Sequence, residues 1–176
     1  METDKTLFYI LLALAAAIAV GGLVLAIIMV PHLPDEIVFS SNDSMGRSQI
    51  YINHALGIGV IVLCWLASTH PNWGRKQRIR KSKRRTYQEW IKHGRMDSDG
   101  YFSPQGFQIY CIQGGLVAFF INLAMTIITV FSVFDIIKWM SPILIVCFLL
   151  LAICLALTEV AARRNQAYPY INSEQS

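Results

Sequence analysis

At 176 residues the chain has room for one domain or two small ones. It is 55% hydrophobic and 15% charged, with a mean hydropathy of +0.46, which excludes an ordinary soluble domain and points to a membrane. The net charge of +4 is a local property, because residues 74–85 alone, GRKQRIRKSKRR, hold eight Lys or Arg and no acid.

The first apolar run, residues 7–30, LFYILLALAAAIAVGGLVLAIIMV, contains no charge. It exceeds the roughly 20 residues that a helical crossing requires. A signal peptide would have an apolar core of about 7–15 residues before its cleavage site. This run continues unbroken to Val30, so a retained helix is predicted. The outer loop follows at 31–49, with Pro31 and Pro34 stiffening its start. Asp35, Glu36 and Asp43 stand there against Arg47. An acidic mouth of this kind attracts cationic peptides or cations, and these three acids are the candidate ligand-binding residues. The plainer alternative is a hydrophilic connector.

The second run, 50–68, carries Asn53 and His54 near its start. An ionisable group inside a crossing raises a functional question by default. A packing or interfacial role near the outer surface is the competing reading.

Residues 69–106 form the basic loop, with Arg75, Lys76, Arg78, Arg80, Lys81, Lys83, Arg84 and Arg85 followed by Lys92 and Arg95. Lys5, Arg163 and Arg164 join them on one side of the membrane, against Arg47 and Lys138 on the other. The positive-inside rule then predicts both termini and this loop in the cytoplasm. The stretch 75–85 is first a topology determinant and second a contact for anionic lipid of the cytoplasmic leaflet. No nucleic-acid reader module surrounds it. Ile79, Tyr87, Trp90 and Ile91 loosely share one helical face, as in a helix lying among headgroups. MDSDGYFS, residues 96–103, fails as a calcium loop, because Arg95 and Gly106 fall where acidic ligands are needed. A polar turn is predicted instead.

The third run, 107–131, carries Gly115, Asn122, Thr126 and Thr129 at helical spacing. This small, polar stripe suits contact with another helix, and Gly21, Gly22, Gly57 and Gly59 offer matching close-approach surfaces. The fourth run, 141–162, opens with Pro142 in its first turn and places Glu159 four residues before Arg163, in the order for a helical ion pair. Cys64, Cys111, Cys147 and Cys154 read as apolar packing residues without zinc spacing. No nucleophile–base pair, phosphate loop or metal cluster emerges, so no catalytic residue, cofactor or metal is predicted.

A first helix, then LPDEI, a polar stretch reaching Gly46, a second helix and HPN at 70–72 resemble a small bacterial membrane domain. That domain occurs in immunity proteins of the sporulation-delaying-protein type. Leu33, Pro34, Asp35 and Ile37 match its motif, and Gly46 matches with a shifted gap. Val38 stands where the family usually has proline, Ser40 stands near its histidine, and RSQIYINH replaces its aromatic–lysine end. The resemblance covers residues 7–72 and implies a bacterial cell membrane and protection against, or sensing of, a secreted peptide.

The expected fold is therefore all-α, a single polytopic membrane domain over 1–176 with four transmembrane helices, N-in and C-in. The expected function is non-enzymatic binding or sensing. The rival is a transport component or accessory subunit of a larger complex, resting on His54 and Asn122. Expected partners are membrane lipid, a peptide or protein, and a homo-oligomer or larger membrane complex, but no nucleic acid.

Overall fold

In the computed structural model, residues 5–40, 43–81, 83–134, 136 and 139–165 are described; for 39, 40, 43 and 162–165 this means backbone only. Four apolar stretches form helices long enough to cross a bilayer: α1 (Thr6–Met29), α2 (Ser48–Thr69), α5 (Pro104–Val133) and α6 (Met140–Asn165). Their packing inverts the soluble pattern. In α1 the buried stripe is Phe8, Leu12, Ala15, Ala19, Gly22 and Ala26, while Val20, Val24, Ile27 and Ile28 face outward. Small residues inside let backbones approach, and large aliphatics outside suit lipid. The chain is thus mostly helical, with four helices apolar and long enough for a membrane.

The central element is α5, which packs against α1, α2 and α6. Its 30 residues span about 45 Å at 1.5 Å per residue, more than a hydrocarbon core of about 30 Å. A surplus of this size leaves its first turns free to act as a post for the basic segment. Ser103 caps it, the hydroxyl accepting from the Gly106 amide at 3.0 Å, and Pro104 occupies the first turn. The periphery belongs to α6. It packs chiefly on α5, and 6% of its span is buried, against 28% for the spans of α1 and α5.

Two regions depart from the expected loops. The outer loop is a β-hairpin, β1 (Glu36–Ser40) antiparallel to β2 (Asp43–Gly46), with Glu36 opposite Gly46 and Ile37 opposite Met45. Ile37 drives its placement: only 4% exposed, it packs with Ala26, Val30 and Ile50. The basic segment folds as well, into α3 (Arg75–Lys81) and α4 (Arg85–Lys92). A turn follows, in which Met96 pairs with Phe102 and the Tyr101 amide donates to Asp97 Oδ1 at 2.8 Å. This is the polar turn predicted for 96–103. The single headgroup helix is replaced by two short ones, because Tyr87 and Trp90 turn toward the bundle. Trp90 contacts Phe102, and Phe102 stacks on Tyr110 of α5 at 5.1 Å.

Candidate functional site

The hairpin end carries the predicted acids. Asp35 is paired with Arg47 at 3.0 Å, and the Arg47 guanidinium also donates to the Leu33 carbonyl at 3.3 Å. Ser44 donates its hydroxyl to Glu36. Both carboxylates therefore help to close the hairpin, yet the Asp35 side chain remains 89% exposed and open to solvent. An exposed pair of this kind contributes about 0–1 kcal/mol and yields readily to a competing cation. Asp43 lies in β2, but its side chain lies outside the described residues, as does all of Lys138. Val38 projects from β1 and is 60% exposed.

Directly below the hairpin is a buried polar junction. Ile50, which holds Ile37, is four residues from His54 and shares its face of α2. His54 is fully buried and meets Thr129 of α5, Nε2 to Oγ1 at 2.8 Å. Thr129 gives its one hydroxyl proton to the Met125 carbonyl at 3.1 Å. The imidazole nitrogen Nε2 must then be the donor to Thr129, which leaves Nδ1 bare in the neutral ring. That Nδ1 has no hydrogen-bond partner among the described residues. Of the two plainer roles expected for His54, packing or interfacial, the contacts show packing: it is enclosed by α1, α2 and α5.

Asn122 continues the junction one level deeper. Its Nδ2 donates to the Gly57 carbonyl of α2 at 3.1 Å and to Ala118 at 2.9 Å. Thr126 donates to the Ile18 carbonyl of α1 at 3.3 Å. Gly115 sits against Leu11 and Phe8. The predicted α5 stripe is therefore an interhelical seam along its length. The glycines divide: a Cβ at Gly22 would overlap His54 and Thr126, and one at Gly57 would overlap Asn122, whereas Gly21 and Gly59 have open space around them. His54 and Asn122 thus act as helix contacts, and neither lines the large cavity at the other end of the bundle.

At that basic end, the eight basic residues of 75–85 do not behave alike. Arg78 is 7% exposed and donates to the carbonyls of Gly100, Trp73 and Pro71 at 2.9, 2.8 and 3.0 Å, with its guanidinium 4.4 Å above the Phe102 ring. Burial pulls its pKa below the usual guanidinium value. Arg75 donates to the Asp99 carbonyl at 2.9 Å and lies 3.8 Å over Tyr101. These two are staples of the fold, which corrects the reading of the whole stretch as a lipid-facing surface. Lys76, Arg80, Lys83, Arg84 and Arg85 are exposed, and Lys81 is half-buried.

Against family models, curated proteins and solved structures, the chain shows no match.

Sequence reasoning missed Arg95. It is 2% exposed, lies 4.9 Å over Trp90 and pairs with Glu159 of α6 at 2.5 Å. Glu159 thus reaches across to the basic segment, while the predicted Glu159–Arg163 pair falls on a side chain outside the described residues. Gly106 makes the arrangement possible, because a Cβ there would strike the Arg95 backbone, with Cα and C at 2.8 Å. The S-P-Q-G run at 103–106 was a legible helix start, but nothing local announced what would cross it. Among the described residues, no three His, Cys, Asp or Glu side chains converge as metal ligands.

Proposed function

We propose that the chain is a non-enzymatic multi-pass membrane protein that binds a ligand at its outer hairpin and passes that event to its helices. In this reading the basic end lies in the cytoplasm, as the distribution of Lys and Arg favours. The observation that carries it is the seating of Ile37 between Ala26, Val30 and Ile50, on the helical face that continues to His54. A load on the hairpin falls first on the outer ends of α1 and α2. It then reaches the one level where α1, α2 and α5 meet through a buried histidine. Two arrangements of that junction with different ligand affinity are what a signal requires.

The ligand class follows from Asp35, Glu36 and exposed Val38: a secreted peptide that is cationic and partly apolar. The LPDEI resemblance supports an immunity or sensing role in a bacterial cell membrane. Photo-crosslinking from position 38 in native membranes, with mass spectrometry of the adducts, tests this. Capture of an extracellular peptide that disappears in Asp35→Ala/Glu36→Ala supports the reading. Capture of membrane helices alone overturns it.

A further inference from the structure

Between α2, α5 and α6, at the basic end of the bundle, lies a cavity of about 780 Å³. Its deep walls are apolar, formed by Val60, Leu63 and Ala67 of α2, Val117 of α5 and Leu155 of α6. It exists because α6 leans on α5, and because Gly114 in its wall contributes no side chain. Toward the basic segment the lining changes to Trp73, Gln77, Trp90 and Tyr110. Leu63 is 54% and Trp73 52% exposed, so the cavity reaches the surface both on the apolar flank and where that flank meets the basic segment.

We propose that this cavity holds one anionic phospholipid. An acyl chain lies between α2 and α6, and the phosphate rests at the mouth beside Arg80 and Lys81. The volume falls within the roughly 300–1,000 Å³ of small-molecule sites. Tryptophan and tyrosine at the rim sit where the apolar-to-polar boundary of a leaflet belongs. Arg80 and Lys81 follow Gln77 by three and four residues on α3, so they flank it on one side of that helix. Arg75 and Arg78, by contrast, are held by the backbone carbonyls of Asp99, Gly100, Trp73 and Pro71. Among the described residues no acidic side chain lines the cavity, and residues 69–106 hold ten Lys or Arg against three Asp or Glu. A zwitterionic headgroup would bring its own ammonium into this cationic surround, whereas an anionic one would not. The apolar walls offer a peptide backbone few partners, which favours a hydrocarbon chain.

Native mass spectrometry of the full chain in detergent tests the site, with palmitoyl-oleoyl phosphatidylglycerol and the phosphatidylcholine of the same chains as probes. One phosphatidylglycerol is retained where phosphatidylcholine is lost. Arg80→Gln/Lys81→Gln lowers that preference by about fivefold per charge. Gly114→Phe fills the cavity, since its Cβ meets only Cys64 Sγ, at 3.7 Å, and Ala67→Phe fills it from α2. Either filling variant, with wild-type helical circular dichroism, loses the retained lipid. Equal retention of the two lipids, or retention unaffected by both fillings, overturns the proposal. Should both fillings fail to fold, the Arg80→Gln/Lys81→Gln variant decides alone, and an unchanged preference refutes the proposal.

Discussion

Glu159→Ala removes one member of the ion pair that ties α6 to the basic segment, and its consequence follows from burial. Arg95 is 2% exposed and its Nε has no other partner among the described residues, so the guanidinium is left charged and enclosed. Truncating one partner of a buried pair costs about 3–5 kcal/mol. The Glu159 side chain is 28% exposed, which admits some water and places the loss near 3 kcal/mol, the lower end of that range. For a chain of this size each kcal/mol moves Tm by roughly 2–4 °C, so a fall of about 6–12 °C is expected. The loss should begin at α6, which packs chiefly on α5. Cys147 of α6 and Cys111 of α5 are both buried, and labelling each with a thiol reagent during heating resolves the order. In Glu159→Ala, Cys147 reacts at a lower temperature than Cys111. Glu159→Gln retains an acceptor and loses about half as much. Arg95→Met/Glu159→Leu, which removes both charges, recovers most of the stability. A Tm within 2 °C of wild type for Glu159→Ala, or no difference between the two thiols, would refute this account.

Other outcomes follow from the same packing. Gly22→Ala and Gly57→Ala destabilise the chain, because each Cβ overlaps a buried polar side chain, while Gly21→Ala and Gly59→Ala leave Tm unchanged; thermal unfolding in detergent compares the pairs. Thr129→Val removes the acceptor of His54 Nε2 and costs about 1 kcal/mol, in the range of interhelical hydrogen bonds within membranes, read by the same assay. Ile37→Ala empties the seat between Ala26, Val30 and Ile50; hydrogen exchange across 36–46 accelerates, while the amides of α5 keep their protection.

The four helices long and apolar enough to cross a membrane were legible from residue content alone, because a bilayer requires about 20 apolar residues whatever the neighbours are. The α5 stripe was legible too: small and hydroxyl residues at helical spacing mark a contact face whichever helix fills it. The partners were not legible. His54 read as a packing or interfacial residue from its position near the start of α2, and the approach of Gly22 and Thr129 from other helices is what encloses it. The hairpin lacked an Asn-Gly or Asp-Gly turn, and Ile37 looked like one apolar residue in a polar loop until α1 and α2 supplied its seat. Glu159 is also held by Arg95, 64 residues away, a partner that no local spacing announced. Local spacing, then, determined which segments are helical and which faces could meet. Tertiary structure decided which charges are spent inside the fold, because desolvation and pairing depend on atoms contributed by distant parts of the chain.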